Sequence, residues 1–150
     1  MLSFSIEETE VRDFMNKLLR DTAFDYFEVR GVIITTFARF EIGGAVSGEA
    51  REGCNGYCTW KELRPYVFGI IKGRRPRAFK IVLSLPADWA QALHSNISAC
   101  FLNLIFDGNR ILCTAVVSEK AFALDKAAGG VWHEYIKCFF KENKITMRSD

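Results

Sequence analysis

The chain has no long apolar run. Its longest runs of apolar residues and glycine, such as Tyr66 to Ile71, are far short of the ~20 residues a membrane-spanning helix needs. No membrane association is expected. The opening residues, MLSFSIEE, place no basic residue before the apolar ones and meet acids at once, which argues against a secretory leader. An excess of one charge is also missing: 20 basic residues face 18 acidic ones, a net of +2. There is no G-x-S-x-G, no H-E-x-x-H, no glycine fingerprint between a strand and a helix, and no G-x-x-x-x-G-K-[ST]. The only two histidines, His94 and His133, are both expected at the surface. A non-enzymatic protein is therefore expected, with no cofactor.

Cysteines are five, an odd number, and most sit among apolar neighbours as reduced structural thiols do. Only Cys54 and Cys58 are close, as C-x-x-x-C in a glycine-rich stretch. A zinc site needs four ligands, and no second pair lies at metal-ligand spacing, so no metal is expected. Cys54 would act as a nucleophile only with a histidine brought beside it by the fold. Cys100, Cys113 and Cys138 read as core filler. Free thiols without a leader make the cytoplasm the expected location.

What is present suits one domain over residues 1–150: half apolar, a quarter charged, with 13 phenylalanines and three tryptophans for a core. MLSFSI reads as a short strand. Val11, Phe14, Met15, Leu18 and Leu19 recur at helical spacing, with Asp13, Asn16, Lys17 and Arg20 opposite. Ser5 and Glu8 suggest a capping box. Residues 26–43 read as extended and 43–58 as a long glycine-rich loop, completing a first unit over 1–58.

A second unit spans 59–125. Thr59 and Glu62 match a capping box opening TWKELRPYVFGIIKG, and Gly73 is the expected stop. Pro65 predicts a kink or a 3₁₀ start. Arg64 lies beside the apolar stripe, so its charge needs a partner, either a structural acid or a ligand. After a strand around Phe79 to Leu85, a short helix follows Pro86. A turn at Gly108–Asn109 then pairs Leu104 with Cys113, Leu102 with Ala115 and Phe106 with Ile111, which puts one apolar face on both strands. That register also argues against a Cys100–Cys113 disulfide. A further turn at Glu119–Lys120 predicts a third strand, 120–124, adding Phe122 and Leu124 to that face. Asp125 is placed to cap a last helix, 126–145, whose buried stripe is Trp132, Tyr135, Ile136 and Phe139.

The expected class is α+β, with helices packed on an antiparallel sheet in the order β-α-βββ-α-β(α)βββ-α. The strand MLSFSI feeding EVRDFMNKLL, then a meander, then KELRPYVFGIIKG and a closing meander, resembles by element order one domain of a DNA sliding clamp. It covers about residues 1–125. It departs from bacterial clamps in having one domain instead of three, a helix near 87–94 and a C-terminal helix. The chain also resembles an uncharacterised family of Firmicute proteins, for which no activity is implied. The clamp resemblance implies DNA contacts from Lys17 and Arg20 on the first helix and Lys61 and Lys72 on the second, among which Asp13 and Glu62 are interspersed.

One segment concentrates charge. KGRRPRAFK carries Lys72, Arg74, Arg75, Arg77 and Lys80 without an acid, while 15 basic residues face 18 acidic ones elsewhere, a net of −3. A local positive field of this kind suits phosphate binding. The expected function is a clamp-like module that binds DNA or RNA through residues 72–80. The alternative is a protein-interaction module that docks a partner by a sheet edge or the 43–58 loop. Open sheet edges further predict a homodimer.

Overall fold

The computed structural model describes residues 1–46 and 56–149. Along the chain run β1 (Leu2–Ile6), α1 (Glu8–Leu19), β2 (Glu28–Thr35), β3 (Arg39–Gly43), α2 (Trp60–Ile71), β4 (Ala78–Ser84), α3 (Ala87–Leu93), β5 (Ile97–Phe106), β6 (Ile111–Glu119), α4 (Ala127–Glu142) and β7 (Arg148–Ser149). The strands form one antiparallel sheet in the order β3-β2-β4-β5-β6-β1-β7. The class is α+β, and the helices and groups of strands follow one another in the expected order, with two strands, β2–β3 and β5–β6, where three were expected in each meander.

The β5–β6 hairpin follows its sequence signals closely. Gly108 takes a positive φ of 102°, and the Asp107 side chain accepts from the backbone N–H groups of Asn109 (2.9 Å) and Arg110 (3.0 Å). This local turn sets the pairs Leu102–Ala115, Asn103–Thr114, Leu104–Cys113 and Phe106–Ile111. Alternation then sends Cys100, Leu102, Leu104, Phe106, Ile111, Cys113 and Ala115 into the core. Each such Leu or Ile contributes roughly 1.5–3 kcal/mol through burial. Phe79, Ile81 and Leu83 of β4 and Phe4 and Ile6 of β1 share that core with Phe14 and Leu18 of α1, Trp60 and Val67 of α2, Ala90 of α3, and Trp132, Ile136 and Phe140 of α4. The opposite sheet face carries Lys80, Val82, Asn103, Ile105, Thr114 and Val116 in exposed or half-buried positions.

The expected strand at 120–124 does not form. Asn96 captures the chain instead: its side chain bonds Glu119, the carbonyl of Ala121 and the N–H of Ala121 at 3.0–3.1 Å. Lys120 donates its N–H to the Asn96 carbonyl. The chain therefore leaves the sheet, and Phe122 and Leu124 stand 90% and 89% exposed. Two expected caps also differ. Helix α1 starts after Glu7, so Ser5 lies too early in β1 and bonds Glu7 instead of the helix. Helix α4 starts after Lys126, with no side-chain cap from Asp125. Cys138 is exposed, unlike the buried Cys100 and Cys113, and all three are free thiols. Helix α2 has its capping box from Thr59 and Glu62, and stays continuous through Pro65.

Candidate functional site

Helix α1 ends with carbonyls that its own turns leave unbonded, and α2 supplies the missing donors. The Trp60 indole N–H donates to the Leu18 carbonyl at 2.7 Å. The Arg64 Nη1 reaches the carbonyls of Leu19 and Arg20 at 3.3 and 3.2 Å. Its Nη2 donates to Asp25 Oδ2 at 3.0 Å, and its Nε lies 3.0 Å from Oδ1 of the same carboxylate. The partner that Arg64 needs is thus Asp25, with both side chains mostly buried (19% and 14% exposed). The arginine joins the start of α2 to the end of α1. It occupies a structural position and is not among the residues that line the groove beside it.

Beyond this junction the two helices leave a groove of about 500 Å³, bordered also by the turn after α2 and by the β5–β6 turn. Both turns depend on glycine. Gly73, at a φ of 77°, ends α2, and the Lys72 and Arg74 N–H groups bond back to Phe68 and Ile71. A Cβ on Gly108 would lie 3.3 Å from the Arg77 carbonyl, so the hairpin turn nestles against the basic segment and brings Asn109 to the groove. The groove floor is apolar, built from Met15, Leu19, Phe68 and Ile71 over the buried rings of Phe79 and Phe106. Its rim carries Arg12, Arg20, Lys72 and Arg75, with Glu8 the only acid among the lining residues. Arg20 lies 5.3 Å above the Phe68 ring, a cation–π contact. Among the described residues, none of the four cations forms an ion pair.

The expected binding residues divide. Arg20, Lys72 and Arg75 meet at the groove. Lys17 does not: it pairs with Asp13 at 2.9 Å and donates to the Lys144 carbonyl at 2.7 Å. Lys61 is exposed at the start of α2, outside the groove. Arg74 lies 4.4 Å above the exposed Phe37 ring. Arg77 is exposed beside β2, its N–H bonded to the Thr35 carbonyl. Lys80 belongs to the opposite sheet face, because Phe79 and Ile81 on either side of it point inward. The nine-residue basic segment is therefore not one patch. Arg12 was not singled out in the sequence, although Glu8, Arg12, Asn16 and Arg20 recur every four residues and so share one face of α1. That ladder was its available signal. Asn109, reached across the fold, had none.

His94 is half-buried, and its Nδ1 accepts from the Asn96 N–H at 3.1 Å. His133 is also half-buried, and burial first, then the N-terminal ammonium and Lys137, holds its pKa below the usual value. The Tyr26 and Tyr135 hydroxyls lie 2.9 Å apart, and burial keeps the Tyr26 phenol well above its ordinary range. Cys54, with most of the glycine-rich loop, lies outside the described residues. No group of three metal-ligating side chains occurs among the described residues, and no described helix is long and apolar enough to cross a membrane.

The chain belongs to a family of unknown function, DUF5721, whose pattern matches residues 17–148. No curated protein and no solved structure matches it significantly.

Proposed function

We propose that this member of a family of unknown function is a non-catalytic module that binds nucleic acid in the groove between α1 and α2. The single observation that carries the reading is the meeting of Arg12, Arg20, Lys72 and Arg75 around one opening without ion-paired partners among the described residues. Guanidinium groups left without carboxylates suit phosphate oxygens, which they bind bidentately. The chain as a whole is nearly neutral, so attraction for a polyanion is local to this rim. The clamp-like reading of the fold points the same way, since in clamps the helices carry the cations that meet DNA. Of the four cations matched to that pattern here, Arg20 and Lys72 lie at the groove between the helices.

Fluorescence anisotropy with a labelled oligonucleotide tests the reading. Replacing Arg12 and Arg75 by glutamine should weaken binding and flatten the slope of log K against log salt by roughly 0.7 per contact on single strands. Lys80→Gln, on the other sheet face, should change neither. Equal losses from both sets would locate the contacts elsewhere. A wild-type protein that binds no oligonucleotide at low salt would end the proposal.

A second reading, docking of another protein or of a second copy, is favoured by β3, an edge strand among the described residues, and by Ile105, 36% exposed on the sheet face opposite the helices. Sedimentation velocity over a wide concentration range tests the homodimer, and a monomer throughout would reject it.

A further inference from the structure

We infer that the groove selects single-stranded over duplex nucleic acid by lodging an unstacked base on its apolar floor. The inference rests on the nucleic-acid reading above and names its substrate class. Phosphate attraction alone would need only the cationic rim. This groove has in addition an apolar floor about the size of a small-ligand site. A duplex keeps its base faces stacked inside and offers phosphates outside, so it has nothing to place there. A single strand offers both a charged backbone and free base faces.

Three further details fit a base. Phe68 in the groove floor is half-buried, and the Arg20 guanidinium lies 5.3 Å from its ring centroid. Bases stack on aromatic rings or on guanidinium planes, and the groove holds one of each here. The amides of Asn16 and Asn109 both line the groove, and both residues are exposed. No side-chain hydrogen bond is made by either amide among the described residues. An asparagine amide offers one acceptor and two donors, the pattern a base edge accepts. The rim is positive where a backbone would cross it, and charge complementarity thus commits the groove to a polyanion with apolar rings.

The test uses the full chain and four labelled probes. They are a single strand of about 12 nucleotides, within the range one such module covers, its blunt duplex, the same strand with abasic sites, and a fluorescent fatty acid. The single strand should bind at least about 10-fold more tightly than the duplex. The abasic strand, with its charge unchanged, should lose about 5- to 150-fold, the worth of one stacked base. Phe68→Leu keeps the apolar volume and removes the ring. It should weaken the single strand while leaving the residual duplex affinity unchanged. Arg12→Gln should weaken both nucleic acids by a similar factor. Circular dichroism establishes that each variant is folded. Equal affinity for strand and duplex, or for intact and abasic strands, would overturn the inference and leave the nucleic-acid reading standing. Binding of the fatty acid with none of either oligonucleotide would overturn both.

Discussion

Arg64→Ala tests the junction on which the groove depends. The substitution removes two hydrogen bonds to the carbonyls that end α1 and both contacts to Asp25. Each neutral hydrogen bond contributes about 0.5–1.5 kcal/mol net, and one to a charged partner about 1.5–3. Truncating one member of a fully buried ion pair costs about 3–5 kcal/mol, because the other charge is left without compensation. Arg64 and Asp25 remain 19% and 14% exposed, so the space left by the arginine opens to water, which then solvates the orphaned carboxylate and lowers that cost. A loss of about 2–3 kcal/mol follows. For a chain of this length it corresponds to a fall in Tm of about 5–10 °C.

Urea unfolding followed by tryptophan fluorescence reads the loss directly, since Trp60 is buried in the same junction. Arg64→Met separates the charge from the packing of the aliphatic stem. Asp25→Leu combined with Arg64→Met should cost less than the two single changes added together, because neither charge is then stranded. Two results would refute the reasoning. If Arg64→Ala changes stability by less than about 0.5 kcal/mol, the arginine behaves as an ordinary surface residue. If the two changes add within about 0.3–0.5 kcal/mol, the pair is not coupled. Either result would return Arg64 to the set of possible ligand residues.

Three other outcomes are expected. Near neutral pH, iodoacetamide should label Cys138 quickly and spare Cys100 and Cys113, since burial pushes the Cys100 thiol up to about 12 and Cys113 higher still; mass mapping that finds equal labelling would show that the β5–β6 core opens readily. The Asp107 carboxyl is held below its usual value by the backbone N–H groups of Arg110 and then Asn109. Its contribution is thus complete above an unfolded pKa near 3.9 and lost as pH falls through the lower folded value. Urea midpoints should therefore fall less steeply across that acid range in Asp107→Ala than in the wild type, and parallel curves would mean that the turn bonds do not form in solution. Replacing Phe122 and Leu124 together by serine should change stability by no more than about 0.5 kcal/mol, whereas a loss above about 2 kcal/mol on thermal unfolding would reinstate a buried third strand.

The features legible in the sequence are those decided within a few residues or by a short repeat. Asp107 and Gly108 fix a tight turn, and a side-chain period of two then carries the register from Phe106–Ile111 to Cys100–Val117. Thr59 and Glu62 lie one helical turn apart, so their reciprocal bonds are local. The stripe through Phe14 and Leu18 needs only the 3.6-residue period. Even the separation of Lys80 from the groove was implied by the alternation that buries Phe79 and Ile81.

Tertiary structure decided what depends on distant partners. Asn96 satisfies backbone groups at Ala121, and this capture, invisible in the apolar spacing of Phe122 and Leu124, outweighs their tendency to continue the sheet. Arg64 lies beside the apolar stripe by periodicity, but its assignment to Asp25 requires the loop after α1 to fold back onto α2. The groove is the clearest case. Arg12, Arg75 and Asn109 share one opening because α1 packs on α2 and the β5–β6 turn abuts the Arg77 carbonyl. Local propensities act along the chain, whereas such a site is made by side-chain packing between elements far apart in it, and no local pattern encodes that distance.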